Sequence, residues 1–185
     1  HFQFSPNNPF DYDAVAEMIL ADVNVNGKAT KVLIDANRNG FLYVLDRTDG
    51  KLIAANPYVK VNWASGIDMK TGRPIETEVS TKARAGEQVD VWPSILGGKN
   101  WEPGAFNQKT GLAYFNTLNF GGHYKAVPAE YKQGEWYLGM DLSLGWAYPD
   151  GPRGYLKALD PMTGKAKWEA PSDLPRFSGV LTTAG

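Results

Sequence analysis

Asp11 and Asp13 are the two side chains of this sequence best suited to acid–base or metal chemistry. They follow a Pro- and Asn-rich stretch over residues 5–9, which predicts a loop. In an extended segment, residues i and i+2 face the same way, so the two carboxylates would repel each other unless a cation or a shared proton joined them. The pair is therefore compatible with a hard-metal site or with a shared proton. An exposed turn or a helix cap is the simpler interpretation of an isolated Asp-x-Asp.

Arg38 is the next candidate. It lies in a polar stretch over residues 35–40 between two strongly apolar segments, a pattern that predicts a tight turn between strands. A rigid turn can aim a guanidinium group, whose planar fork suits a ligand with two neighbouring acceptor oxygens. An arginine in a turn is more often simply solvated, and the sequence alone leaves both alternatives open.

A Gly-rich loop over residues 97–103 combines backbone freedom with the amide of Asn100, the ammonium of Lys99 and the indole of Trp101. Such a loop can wrap a planar ligand. The spacing does not match Gly-x-Gly-x-x-Gly and no helix pattern follows, so the loop does not indicate dinucleotide binding.

Composition excludes several classes of function. The chain has no Cys, and its two histidines, His1 and His123, lack the spacing of a zinc site or of a catalytic triad. Lys and Arg number 19 against 20 Asp and Glu, so a nucleic-acid partner is not indicated. The apolar runs are too short for a membrane span.

The elements that must position these residues are β-hairpins. A repeated pattern joins an apolar strand end, an Asx residue, two or three polar residues and a Gly. Asx side chains accept backbone N–H bonds within such turns, and Gly supplies the positive φ that closes them. The four copies lie at residues 44–51, 67–73, 106–112 and 158–165.

Strand-length apolar segments stand between these turns, for example over residues 31–34, 40–45 and 112–116. Helical periodicity is weak: residues 13–20 and 128–132 are the two stretches expected to form a helical turn. The pattern predicts an all-β protein, either a propeller with unequal loops or a large sandwich. Residues 1–4 and 179–185 are expected to be parts of strands, and both ends to be cuts inside a longer protein.

The last hairpin continues as Ala-x-Asp-x-x-x-Gly-Lys-x-x-Trp over residues 158–168. This pattern resembles the tryptophan-docking repeat of quinoprotein propellers, in which Trp168 would pack between neighbouring sheets. With the runs over residues 10–18, 37–47, 61–66 and 97–101, in that order, the sequence resembles the methanol and ethanol dehydrogenases that use pyrroloquinoline quinone. The resemblance implies that residues 1–185 are about a third of an eight-bladed propeller domain.

The resemblance also implies roles for individual residues. Asp11 matches the catalytic base, which is also a metal ligand, and Arg38 matches the arginine that binds the reactive quinone oxygens. Asn100 and Trp101 match cofactor contacts. Asp13 matches an aspartate that joins the metal shell in the lanthanide-dependent relatives, where calcium-dependent methanol dehydrogenases have a small residue. A trivalent, hard cation favours one more anionic ligand, so we expect a lanthanide, with calcium as the alternative.

The expected activity is oxidation of small primary alcohols, such as methanol or ethanol, to aldehydes. The family implies a cytochrome c as electron acceptor and a periplasmic location, and a homodimer and an attached haem domain remain open. The missing metal ligands, a glutamate and an asparagine, would lie before His1, so the 185-residue chain alone is expected to be inactive. Two alternatives stay open: a non-catalytic propeller scaffold, and a quinoprotein acting on sugars or aldehydes.

Overall fold

Antiparallel strands make up most of the chain. The structure is a computed structural model that describes residues 1–184. Their elements are β1 (Ile19–Val25), β2 (Lys28–Ala36), β3 (Phe41–Asp46), β4 (Leu52–Pro57), β5 (Ala64–Ile67), β6 (Pro74–Glu76), α1 (Glu78–Arg84), β7 (Val89–Val91), β8 (Ala105–Asn107), β9 (Leu112–Leu118), β10 (Gly121–Tyr124), a 3-10 turn (Leu142–Leu144), β11 (Trp146–Ala147), β12 (Gly154–Leu159) and β13 (Ala166–Ser172).

The first sheet is a four-stranded meander in the order β1-β2-β3-β4. Its strand β3 is buried on both faces, because alternate side chains of a strand point to opposite sides of the sheet. Phe41 and Tyr43 belong to an aromatic cluster on one face. Leu42 and Val44 belong to an aliphatic cluster on the other face. The turn that precedes β3 is therefore anchored to two cores.

A second four-stranded sheet has the order β13-β12-β9-β8. Phe115 of β9 and Leu159 of β12 lie in the same aliphatic cluster as Leu42 and Val44, so the two large sheets share this core. A three-stranded sheet, β11-β10-β7, and the β5-β6 hairpin complete the arrangement. The prediction of an all-β architecture is confirmed, with α1 the one α-helix among residues 1–184.

All four predicted Asx–Gly hairpins are present, at β3–β4, β5–β6, β8–β9 and β12–β13. In each turn the Asx side chain accepts a backbone N–H bond from the residue two positions later, at 2.8–2.9 Å. Each turn also has a Gly with φ between +67° and +76°. The mechanism expected from the sequence is thus the one that forms the turns.

The two helical expectations are wrong. Residues 13–18 form no helix, and Ile19 begins strand β1, which pairs with β2 along its whole length. Long-range pairing and the Val-Asn-Val content of β1 outweigh the weak local helical pattern. Residues 128–132 also form no helix. The α-helix instead begins after Thr77, whose hydroxyl accepts a bond from Val79 N–H as an N-cap.

The terminal segments also differ from expectation. Residues 1–4 and 179–184 lie outside the strands, and Gly185 lies outside the described residues. The Phe2 and Phe4 rings instead pack on Tyr43, at centroid distances of 5.9 and 4.7 Å. Trp168 is 47% exposed and lies beside Tyr114. Over residues 1–184 no helix has the length and apolar character needed to cross a membrane.

Candidate functional site

The turn over residues 37–40, the Arg38 turn, joins β2 to β3. Gly40 N–H donates to the Asn37 carbonyl oxygen at 3.1 Å, which closes the turn. Gly40 has φ +94°, and a Cβ atom there would lie 2.5 Å from Val61 Cγ2, so the turn requires glycine at this position. The Trp63 indole N–H donates to the Asn39 carbonyl oxygen at 2.8 Å and ties the turn to the aromatic cluster.

Arg38 is 8% exposed, so it is not the solvated turn arginine that its position alone would suggest. One terminal nitrogen, Nη2, donates to the Ile95 carbonyl oxygen and lies 3.8 Å from the Asp11 Oδ2 atom. Its Nε is buried and has no hydrogen-bond partner among residues 1–184. An unpartnered donor on a buried guanidinium makes Arg38 a candidate for binding an acceptor oxygen.

Asp11 lies in a loop, the Asp11 segment (residues 5–18), and its backbone is held on both sides. Phe10 and Tyr12 are buried in the aromatic cluster. Their backbone N–H groups both point to the Asn8 Oδ1 atom, at 2.7 and 3.5 Å. Asp11 itself has φ +60°, a conformation that Asp tolerates better than most residues. Buried neighbours thus leave the Asp11 carboxylate, 55% exposed, beside Arg38.

Asp13 lies two residues further along the same segment and is exposed. Its carbonyl oxygen accepts a bond from Val15 N–H at 2.9 Å. Across residues 1–184 no group of three or more His, Asp or Glu side chains is placed to hold a metal ion. Asp11 and Asp13 remain two candidate carboxylate ligands for a hard metal ion.

The loop over residues 94–104, the Gly97 loop, packs directly on the Arg38 turn. Gly98 N–H donates to the Arg38 carbonyl oxygen at 3.0 Å. A Cβ atom on Gly97 would lie 2.7 Å from the Arg38 Cα atom, and one on Gly98 would lie 2.4 Å from Val59 Cγ2. Gly97 thus allows its loop to contact the backbone of the Arg38 turn, and Gly98 leaves room for the Val59 side chain.

Asn100 and Trp101 lie at the outer end of this loop. The Asn100 amide closes the loop itself: its Nδ2 donates to the Leu96 carbonyl oxygen and its Oδ1 accepts from Trp101 N–H, both at 2.9 Å. Trp101 is 75% exposed and lines a groove of about 500 Å³ with Phe177. The structure therefore joins Asn100 to Arg38 through successive carbonyl groups, those of Leu96 and Ile95, and shows no direct contact between Trp101 and Arg38 among the described residues.

Three ionisable groups lie beneath these loops, and the sequence analysis named only Lys99 among them, without predicting its burial or its partner. Lys99 is 1% exposed, and its Nζ donates to Glu17 Oε2 at 2.8 Å. Asp35, at the end of β2, is also buried, and its desolvation raises the pKa to about 6, against the opposing effects of the Asn37 hydrogen bond and the Lys99 charge. The adjacency of Lys99 to Asn100 was the one available signal, since sequence does not show that a lysine is buried.

Tyr12 is a fourth group that sequence reasoning missed. Its hydroxyl donates to the Pro93 carbonyl oxygen at 2.5 Å. Burial raises the pKa of Tyr12 well above its ordinary value, and the nearby Arg38 charge acts in the opposite direction. Tyr12 is therefore a neutral anchor that joins the Asp11 segment to the strand leading into the Gly97 loop.

The residues present fit the acceptor edge of a planar, oxygen-rich anion. The fit rests on the buried Arg38 guanidinium, whose Nε has no partner among residues 1–184, and on Gly97, which allows the Gly97 loop to lie against the Arg38 turn. The exposed Asp11 carboxylate beside this guanidinium can accept a proton from a molecule bound there.

Comparisons with known proteins find similar sequences. Residues 1–63 match the family model described as PQQ: Glucose/ethanol/alcohol dehydrogenase, beta-propeller domain. The whole chain is 43% identical to a quinoprotein ethanol dehydrogenase of Pseudomonas putida, of which it covers 31%. It is 39% identical to a lanthanide-dependent methanol dehydrogenase of Methylacidiphilum fumariolicum, of which it covers 30%.

Solved structures give the same result. A europium-containing methanol dehydrogenase is 38% identical and superposes with a TM-score of 0.85, over 96% of this chain and 31% of that one. The quinohemoprotein alcohol dehydrogenase from Comamonas testosteroni is 36% identical, with a TM-score of 0.88 over 100% of this chain and 28% of that one. The fold is thus that of a β-propeller segment. The predicted relationship to the PQQ-dependent alcohol dehydrogenases is confirmed, and the chain spans about 30% of the length of these relatives.

Proposed function

We propose that the full-length protein oxidises small primary alcohols, such as methanol or ethanol, to aldehydes with bound pyrroloquinoline quinone and a metal ion. The observation that carries the proposal is the pair formed by the buried Arg38 guanidinium and the exposed Asp11 carboxylate, 3.8 Å apart. Such a pair combines an anion-binding group with a proton acceptor at one place. The relatives are alcohol dehydrogenases of this cofactor class.

When bound, the quinone supplies the oxidant that takes a hydride from the alcohol carbon, and the metal polarises the quinone carbonyl. Arg38 would hold the quinone oxygens through its guanidinium group, which is buried beside Asp11. Asp11 takes the proton of the alcohol hydroxyl group. Low exposure of Arg38 strengthens its interaction with negative charge, because water does not compete for the guanidinium.

Asp11 and Asp13 are the proposed metal ligands from this chain. A lanthanide is the proposed ion and calcium the alternative, since a trivalent cation gains more from a second carboxylate than a divalent one does. Asn100 and Trp101 are the proposed further contacts to the quinone. The exposed indole of Trp101 is accessible to a ligand, whereas the Asn100 amide also makes hydrogen bonds within the loop.

The remaining features are proposed on family grounds. They are an eight-bladed propeller in which Trp168 docks between neighbouring sheets, a periplasmic location, a cytochrome c that receives the electrons, and a homodimer. The half-exposed Trp168 ring is compatible with docking on a sheet outside this chain. Because Asp11 and Asp13 are only part of a metal shell, residues 1–185 alone are proposed to be inactive.

The test is alcohol-dependent dye reduction by the full-length protein, reconstituted with the quinone and with either lanthanum or calcium. We expect turnover with lanthanum, and loss of that turnover in the Asp13→Ala variant. Asp150→Ala, a carboxylate deletion at an exposed bend, is the matched control. Absence of turnover with either metal and any small alcohol would contradict the proposal and favour a non-catalytic scaffold.

A further inference from the structure

Lys99 is the most deeply buried cation among residues 1–184, and no step of the proposed reaction uses it. Its side chain is 1% exposed. The Nζ atom donates to Glu17 Oε2 at 2.8 Å and to the Asn100 carbonyl oxygen at 3.0 Å. A buried ammonium group is costly unless it is paired and hydrogen-bonded, so both bonds are needed to keep it there.

Glu17 completes the connection from the other side. Its second oxygen, Oε1, accepts the backbone N–H of Gly104 at 2.5 Å. A Cβ atom on Gly104 would lie 2.3 Å from the Phe115 ring, which fixes the backbone at this point. One carboxylate of the Asp11 segment therefore binds the Gly97 loop at two places, Lys99 and Gly104.

These contacts join the three parts of the proposed site. The Asp11 segment carries Asp11 and Asp13 and ends with Glu17. The Gly97 loop carries Asn100 next to Lys99, and it is bonded to the Arg38 turn through Gly98. Without the ion pair, Glu17 would hold the loop only through its bond to the Gly104 N–H group.

We infer that Lys99 is a positioning residue, whose buried ion pair with Glu17 fixes the Gly97 loop against the Asp11 segment. The inference rests on the proposed function, because it assigns the loop to the quinone site. Lys99 itself acts through Asn100 and Glu17. Misplacement of a binding group by about 1 Å can lower a rate about 100-fold, so such a residue has a measurable effect on ligand binding.

The test compares Lys99→Met, Glu17→Gln and the double variant in the full-length protein. Arg47→Met is the control, because it breaks an Arg–Asp pair of 3.1 Å at the opposite end of the same sheet from the Arg38 turn. Hydrogen exchange is measured without quinone at residues 97–104 and in α1. The dissociation constant for the quinone is then measured for each protein by titration.

We expect Lys99→Met to speed exchange at residues 97–104 but not in α1, and to weaken quinone binding about tenfold or more. The double variant should bind no more weakly than Lys99→Met, because both changes break one contact. Arg47→Met should have the same hydrogen exchange at residues 97–104 and the same quinone dissociation constant as the unaltered protein. If Lys99→Met does not fold, the inference is tested on Glu17→Gln, which keeps the side-chain size, with the same two measurements.

Quinone binding within twofold of normal in a folded Lys99→Met protein would overturn the inference, as would faster exchange spread evenly over the chain. Additive losses in the double variant would also overturn it. Failure of the unaltered protein to bind quinone would contradict the proposed function instead. In that case the exchange measurement still decides whether Lys99 positions the loop.

Discussion

Gly97 lies so close to Arg38 that a Cβ atom on the glycine would come within 2.7 Å of the Arg38 Cα atom and carbonyl oxygen. The Gly97 backbone also has φ +85°, a region that residues with side chains rarely adopt. The position of the Arg38 guanidinium therefore depends on a residue that has no functional group of its own.

Gly97→Ala should displace the Arg38 backbone and weaken quinone binding in the full-length protein. Gly50→Ala is a matched control, because Gly50 has φ +76° and open space around it. Both variants should lose about 1 kcal/mol or more of stability from the positive φ. Only Gly97→Ala should raise the quinone dissociation constant, measured by titration. Equal quinone affinity in the two variants would show that the contact does not position Arg38.

Arg38→Lys should lower kcat/KM for a primary alcohol by about 100-fold to 1,000-fold. Lysine keeps the positive charge but lacks the planar fork that can serve Ile95 and a ligand together. Arg47→Lys, at the surface pair with Asp22, should leave steady-state kinetics unchanged. A kcat/KM within about twofold of normal in Arg38→Lys would show that the Arg38 guanidinium has no role in the reaction.

Asp11→Asn should lower kcat by about 100-fold to 10,000-fold, because an amide cannot take the alcohol proton. The control is Asp22→Asn, which alters an aspartate that also pairs with an arginine. Initial rates with saturating alcohol measure the effect. An undiminished kcat in Asp11→Asn would show that another group takes the proton of the alcohol.

Asp35→Asn should change how stability depends on pH. Burial raises the pKa of Asp35 to about 6 from 3.8, so the folded protein holds this proton more tightly than the unfolded chain does. The contribution of Asp35 to stability is then complete below about pH 4 and is lost as the pH rises through about 6. Asparagine does not titrate, and it keeps the oxygen that accepts the Asn37 bond.

Relative to the unaltered protein, the Asp35→Asn variant should therefore gain stability between pH 4 and pH 7, by up to about 3 kcal/mol. Unfolding followed by circular dichroism at several pH values measures this. Asp46→Asn should show no such trend between pH 4 and pH 7, because hydrogen bonds from Thr48 lower the pKa of Asp46, so its contribution to stability changes only below about pH 4. A stability difference for Asp35→Asn that is constant over this range would contradict the burial argument.

Sequence predicted the hairpins because their turns are local. Each Asx–Gly turn is closed by bonds between residues two to four positions apart, as at Asp160 and Gly164. The helical expectation at residues 13–20 was wrong because it relied on the local pattern alone. Strand β1 forms instead through its pairing with β2. Long-range pairing leaves little trace in a single sequence.

Asp11 and Arg38 could be proposed from the sequence because a resemblance matched their motif, and the structure places their side chains 3.8 Å apart. The buried ionisable residues beneath Asp11 and Arg38 could not be predicted. Lys99 and Asp35 are charged, and charged residues are usually exposed, so nothing in the sequence marks them as buried. The contact of Gly97 with Arg38 spans 59 positions in the chain (97 minus 38) and is visible only in three dimensions.

The most direct test of the central claim is a single turnover without an external electron acceptor. Full-length protein loaded with quinone and lanthanum is mixed with ethanol, and the aldehyde formed is compared with the quinone bound. We predict about one aldehyde per quinone, and a rate lowered at least about 100-fold in Asp11→Asn. No aldehyde from the loaded, folded protein would contradict the claim that this chain forms part of an alcohol-oxidising quinone site.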